Sequence, residues 1–358
     1  MRRSLITGVF VMIASIGASA AAAPPLPPSG PPLMPPALPI VIAHRGASAD
    51  RPEHTLSAYA LAIEQGADFI EPDLVSTKDH HLVARHENEI SGTTDVAGHP
   101  EFAGRRTTRT IDGETMTGWF TEDFTLAELK TLRTRERLPQ LRPANKAFDG
   151  KDTIPTLDEI IALARAAGKR TGRTIGIYPE TKHPSYFRAI DLPLEPVLVA
   201  ALARAGWTKA DSPVFIQSFE AGNLKALRSQ TGVRLVQLIG DGTSADGVSY
   251  DAMVTPAGLQ AIAAYAQGIG PATTRIIPRG ADGVLGAPTT LVADAHAAGL
   301  QVHPWTFRPE NYFLSKAFRR GANPQDRGDL AGEIRLYLET GIDGVFSDLP
   351  AAAAAALR

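Results

Sequence analysis

From residue 40 onward, short apolar runs alternate with helical patterns. Residues 40–43, 69–75, 82–85, 174–178, 214–217, 235–239, 275–277, 301–305 and 344–346 have the length and the β-branched or aromatic content of strands. Apolar residues at helical spacing cover 56–65, 194–204, 220–228, 256–266, 288–298 and 332–339. A further helix is predicted to begin at Thr156-Leu157-Asp158-Glu159, where a capping hydroxyl precedes an acidic first turn, and to run to about Ala167.

Strand and helix in alternation predict an α/β fold with a mainly parallel sheet and helices outside. Roughly eight usable strands favour closure into a TIM (β/α)8 barrel. An open doubly wound sheet is the alternative, but no glycine-rich phosphate loop follows the first strand, and Gly46 stands alone after His44-Arg45. Two stretches break the rhythm: residues 88–154 are long and polar, and residues 240–286 carry turns around one short helix. Both read as insertions over the catalytic face of the barrel. Neither an internal repeat nor a second autonomous domain is visible.

Composition changes the picture chiefly at the N-terminus. Arg2 and Arg3 precede an apolar run, and Ala18-Ser19-Ala20 follows it as a small-residue cleavage signal, so residues 1–20 read as a signal peptide. An uncleaved anchor is the alternative. Residues 21–39, rich in proline and alanine, suit an extended linker, which leaves residues 40–358 as the folded domain. The expected location is therefore periplasmic or secreted, with no stable membrane insertion after cleavage. The chain has no cysteine, so packing and bound ions must do what disulfides do in other exported proteins. Loss of Arg2 and Arg3 takes the formal charge from −2 to about −4, which argues against nucleic acid as a partner but not against a small anionic ligand.

The chemistry-bearing residues cluster at strand ends. His44 and Arg45 follow the first strand, where a barrel presents its working groups; a guanidinium can neutralise phosphate oxygens and an imidazole can exchange a proton near neutral pH. Glu71 and Asp73 are two residues apart in a strand pattern, so both carboxylates can reach one hard cation. Glu180 and Lys182 repeat that spacing, with Glu180 able to complete an oxygen-rich site and Lys182 to face a phosphate. A solvated strand end or a surface ion pair would account for either pair taken alone. His86 ends another strand-like run. Two histidines suit phosphodiester cleavage, one accepting a proton from the nucleophile and the other donating one to the departing alkoxide. Three carboxylates with no cysteine and no His-Glu-x-x-His motif favour one divalent cation, Ca²⁺ or Mg²⁺, over zinc.

His44-Arg45-Gly46, Pro52-Glu53-His54-Thr55, Glu71-Pro72-Asp73 and His86-Glu87 together resemble the glycerophosphodiester phosphodiesterase family from the first strand to the last. The resemblance implies a TIM barrel in which His44 and His86 are the catalytic pair and Glu71, Asp73 and Glu180 hold the metal. It places Arg45 and Lys182 beside the phosphate. It also makes Glu53 a ligand or an orienting group, and it puts Gln217 of Gln217-Ser218-Phe219 and Trp305 of Trp305-Thr306 near the substrate. The implied reaction is hydrolysis of a small glycerophosphodiester to an alcohol and glycerol 3-phosphate, through a cyclic phosphate or by direct attack of water. A related lipid phosphodiesterase and a noncatalytic phosphate-ligand binding protein are the alternatives. Two departures stand out: His54 replaces the family's usual asparagine, and Glu87 its common aspartate. His80, His81, His99, His183 and His296 read as structural or exposed, and His303 as support for the Trp305 segment. Trp119-Phe120 either lines the substrate or pins the insertion.

Overall fold

The first strand of the fold lies beside the last. Ile40–His44 runs parallel to Gly344–Ser347 on one side and to Phe69–Glu71 on the other. The computed structural model describes residues 38–358, so the expected signal peptide, and the linker up to residue 37, lie outside the described residues. Phe69–Glu71 continues parallel to Gly176–Ile177. Both strands are then interrupted, at Pro72 and at Tyr178-Pro179, because proline has no N–H to give to a ladder. Beyond the prolines Asp73–Ser76 pairs with Glu180–Thr181, which pairs with Phe215–Ser218. Arg234–Ile239, Gly268–Pro271 and Gln301–Val302 follow in order, all parallel. Counting each interrupted strand once, the described residues supply eight parallel staves in sequence order, a distorted (β/α)8-like barrel.

The interior is filled by Ile42, Tyr178, Phe215, Val236 and Phe346, one layer of large side chains in mutual contact. Burying each contributes on the order of 1.5–3 kcal/mol. A larger apolar layer, with Ile63, Ile160, Leu198, Leu224 and Ile334 among its members, separates staves from helices. The helix Leu157–Thr171 begins as expected: the Thr156 hydroxyl accepts from the Glu159 N–H and the Glu159 carboxylate accepts from the Thr156 N–H. It runs past Ala167, because a glycine at 168 costs a helix only about 1 kcal/mol, and it stops at Gly172 in the left-handed conformation.

Three expectations are corrected. Residues 275–277 are not a strand; they lie at the end of the short helix Thr273–Ile276, and the sixth stave is Gly268–Pro271. Gly-Ile-Gly-Pro is poor in strand-forming residues; it pairs with Arg234–Ile239 and Gln301–Val302 all the same, and the Leu238 and Trp305 side chains occupy the space a side chain on Gly270 would need. Residues 240–286 are therefore part of the barrel's own repeat, with the helix Pro256–Ala263 and the sixth stave, rather than an insertion. Leu82–Ala84 is a strand but not a stave: it folds back antiparallel on Asp73–Ser76 and returns His86 toward Asp73. Residues 88–154 are an insertion, as expected. They include the hairpin Thr107–Ile111 with Glu114–Gly118, and Trp119 pins the segment by donating from Nε1 to the Phe102 carbonyl at 2.7 Å.

Candidate active site

Parallel staves place all their C-terminal ends on one rim, and the residues singled out in the sequence meet there. Of the residues given a catalytic, metal or substrate role, all but Asp73 line a single cavity of about 510 Å³, while His54, Glu87 and Trp119-Phe120 do not. Asp73 is 1 % exposed and belongs to the same site through its carboxylate neighbours. Glu71, Asp73 and Glu180 each offer an oxygen within 4.8 Å of the others. Burial and the neighbouring Asp73 and Glu180 charges push Glu71 well above the usual carboxylate range, and burial pushes Glu180 up to about 8. Burial also opposes ionisation of Asp73, but Lys182, His86 and His54 outweigh it and hold Asp73 low. Three buried carboxylates this close demand positive charge. Lys182 supplies part of it, its Nζ 2.9 Å from Glu180 Oε1. Gln217 donates from Nε2 to Glu71 at 3.2 Å, while its buried Oε1 has no partner among the described residues. An all-oxygen set with an orphaned oxygen beside it fits a hard divalent cation.

The histidines form a second symmetry in the site. His44 donates from Nδ1 to Asp348 Oδ1 at 2.6 Å, and His86 donates from Nδ1 to Glu87. Because a carboxylate only accepts, each neutral ring carries its proton on Nδ1 and keeps the Nε2 lone pair free. Burial, with Arg45 next in weight, pulls His44 down to about 4 and His86 to about 3. Arginines from the insertion hold both carboxylates: Arg137 donates to Glu87, and Arg142 donates to Asp348 at 2.5 Å.

The model of the glycerophosphoryl diester phosphodiesterase family matches residues 44–352. The glycerophosphodiester phosphodiesterase GDPD6 of Arabidopsis thaliana is 39 % identical over 328 residues, covering 87 % of this chain and 83 % of its own. The chain belongs to the glycerophosphoryl diester phosphodiesterase family. A glycerophosphodiester phosphodiesterase of Haemophilus influenzae is 29 % identical, with 87 % of each chain covered. Among solved structures, a Silicibacter pomeroyi glycerophosphoryl diester phosphodiesterase superposes with a TM-score of 0.64 at 23 % identity, covering 90 % of this chain and 94 % of its own. An Oleispira antarctica phosphodiesterase, solved with the product sn-glycerol-3-phosphate, gives a TM-score of 0.59 at 23 % identity over 89 % of this chain and 97 % of its own. At that identity these two bear on the fold alone.

Within this family member the motif residues lock one another in place. Arg45 has a positive φ of 60° and Gly46 one of 89°, which turns the chain so that the Arg45 N–H donates to Glu71 at 2.8 Å while its guanidinium donates to Glu53 at 3.0 Å. Glu53 also accepts from Arg137 at 2.8 Å, and it lies outside the trio of clustered carboxylates. His54 is fully buried, its Nε2 donating to Asp73 at 2.9 Å and its Nδ1 accepting from the Tyr59 hydroxyl at 2.8 Å. Trp305 is anchored by an Nε1 bond to the Gly270 carbonyl at 2.7 Å. The histidines given no chemical role stay out of the cavity: His99 pairs with Glu101, His183 with Asp112, His296 with Asp343 and His303 with Tyr178. Among the described residues, no helix is long and apolar enough to cross a membrane.

Sequence reasoning missed Asp348, Arg137, Arg142 and Arg308. Asp348 follows the last stave directly, the same strand-end position that singled out His44. The arginines sit in loops, where nothing local distinguishes them from solvated charges.

Proposed function

We propose that this enzyme hydrolyses a glycerophosphodiester to an alcohol and glycerol 3-phosphate, with His44 and His86 moving the protons. The observation that carries the reading is the convergence of two carboxylate-backed histidines on a buried carboxylate trio in one cavity. A divalent cation, Ca²⁺ or Mg²⁺, held by Glu71, Asp73 and Glu180 would supply Lewis-acid neutralisation of phosphate charge. Arg45 and Lys182 add fixed cations for the nonbridging oxygens, and Glu53 orients Arg45. Gln217 and Trp305 bound the substrate.

With both rings neutral at pH 7, either Nε2 is in the form a base needs. The other ring gains its proton when the anionic diester enters beside it, since a neighbouring negative charge favours imidazolium. The base takes the proton of the attacking oxygen, from water or from a neighbouring glycerol hydroxyl. As that oxygen bonds to phosphorus the bond to the leaving alkoxide breaks and the second ring protonates the alkoxide; where the glycerol hydroxyl attacks, water then opens the cyclic phosphate to glycerol 3-phosphate. Support for a closed TIM barrel comes from the hydrogen bonds joining the seventh and eighth staves, Asp343 N–H to the Val302 carbonyl at 2.9 Å and Phe346 N–H to the Pro304 carbonyl at 3.1 Å.

The test is release of glycerol 3-phosphate from glycerophosphocholine by the purified chain with Ca²⁺, with Mg²⁺ or with chelator, beside His44→Ala. Metal-dependent release that disappears in the variant is the expected result. Folded protein that releases nothing under any metal condition overturns the assignment. We further propose export to the periplasm or medium on the strength of residues 1–20; cell fractionation that finds the chain only in the cytosol rejects that.

A further inference from the structure

Four of the five basic side chains lining the catalytic cavity are already committed. Arg45 and Arg137 donate to Glu53, Arg142 donates to Glu310 at 2.7 Å, and Lys182 pairs with Glu180. Arg308 is the fifth. Its buried Nε has no hydrogen-bond partner, and the one carboxylate within ion-pair distance among the described residues is Asp348, at 3.3 Å. That carboxylate is itself spoken for, one oxygen by His44 and the other by Arg142. The side chain is about a quarter exposed, 27 %, and its guanidinium stands 4.6 Å over the ring of Phe313, which fixes its place in the wall.

Arg308 thus has an ion-pair neighbour but, among the described residues, spends none of its donors on a hydrogen bond, and an unspent planar fork in a cavity wall points to an anion that arrives from outside. The reacting phosphate does not need it, because Arg45 and Lys182 stand directly against the carboxylate trio, whereas Arg308 touches none of Glu71, Asp73 and Glu180. Its recorded ion pair is with Asp348, the carboxylate that also accepts from His44, rather than with the trio. Of the two arms of a glycerophosphodiester, glycerol is neutral and the leaving alcohol varies in charge. Arg308 also covers the ring face of Phe313, which denies that face to a quaternary ammonium group.

We propose that Arg308 is a specificity residue that recognises an anionic group on the leaving alcohol, so that the preferred substrates are glycerophosphodiesters whose headgroup carries a carboxylate or a second phosphate. This rests on the phosphodiesterase reading above.

The experiment compares kcat/KM for glycerophosphoserine and for bis(glycerophospho)glycerol with that for glycerophosphocholine, in the wild type, Arg308→Gln and Arg308→Lys. The ratio of anionic to cationic substrate is expected to fall about tenfold or more in Arg308→Gln, the size of one charge-assisted hydrogen bond, and to be largely kept in Arg308→Lys. A drop for one anionic substrate alone identifies which anion is read. An equal loss on all three substrates means that Arg308 acts through Asp348 and His44 or on the glycerol, and overturns the proposal, as does an unchanged ratio. Calorimetric binding of the same ligands gives the ratio without turnover. Selective binding with no hydrolysis by the wild type would therefore sink the reaction and leave this inference standing, and equal affinities would sink this inference alone.

Discussion

Asp348 holds His44 across 304 residues of chain, its Oδ1 accepting from the ring Nδ1 at 2.6 Å. The bond fixes which nitrogen carries the proton, and Arg142 and Arg308 fix the carboxylate in turn. In Asp348→Asn an amide can donate toward Nδ1 and reverse the tautomer. Expected is a fall in kcat of roughly 10²-fold or more with KM little changed, read by steady-state kinetics on protein whose circular dichroism shows it folded. Full kcat in that variant would dismiss the positioning role.

A cation held by the carboxylate trio, as proposed above, should make stability depend on it. Adding Ca²⁺ or Mg²⁺ to chelator-treated protein at a hundredfold excess over Kd should stabilise it by about 2.7 kcal/mol, seen as a rise in Tm. Glu71→Gln removes one of the three carboxylates and should lose most of that rise. Equal rises in both proteins would place the cation elsewhere.

Gly46 cannot accept a side chain. Its φ is +89°, and a Cβ there would lie 2.8 Å from the Ala58 carbonyl carbon and from the Ala58 Cβ. Gly46→Ala is expected to cost about 1–3 kcal/mol in urea unfolding and to lower activity as well, since the same turn aims His44 and Arg45. A variant within about 0.5 kcal/mol of the wild type contradicts the steric account.

His303 gives the barrel interior an acid sensitivity separate from catalysis. It has no exposure, bonds to the Tyr178 hydroxyl at 2.9 Å, and is pulled by burial down to about 4. The unfolded chain takes up its proton near pH 6.5 and the folded chain only near 4. The contribution of His303 is therefore complete above about pH 6.5 and is lost as pH falls toward 4, on the order of 3 kcal/mol in all. Unfolding free energies at pH 7 and pH 4.5 should differ less in His303→Asn than in the wild type; an identical difference would refute it.

What the sequence disclosed follows from where its signals are local. His44-Arg45, Glu71-Pro72-Asp73 and Glu180-Thr181-Lys182 sit at the ends of apolar strands, so the strand pattern itself aims them at one rim. The sixth stave was hidden because its Gly-Ile-Gly-Pro sequence has little strand propensity of its own, a side chain at Gly270 being excluded by Leu238 and Trp305. Arg137 and Arg142 were hidden for a related reason: a loop arginine becomes part of a site only through a carboxylate supplied by another segment, Glu87 and Asp348 here. The insertion was legible as a polar interruption, but not as the element that braces both histidines.

The pairing of Ile40–His44 with Gly344–Ser347 has a consequence for synthesis. A ribosome makes the first stave, with His44, some three hundred residues before the partner that seats it. Docking of that late segment is the kind of long-range contact that slows folding. Products that stop before Gly344 carry both histidines and all three clustered carboxylates yet lack the carboxylate that orients His44. Full activity is therefore expected only once the last stave has docked and brought Asp348 to His44.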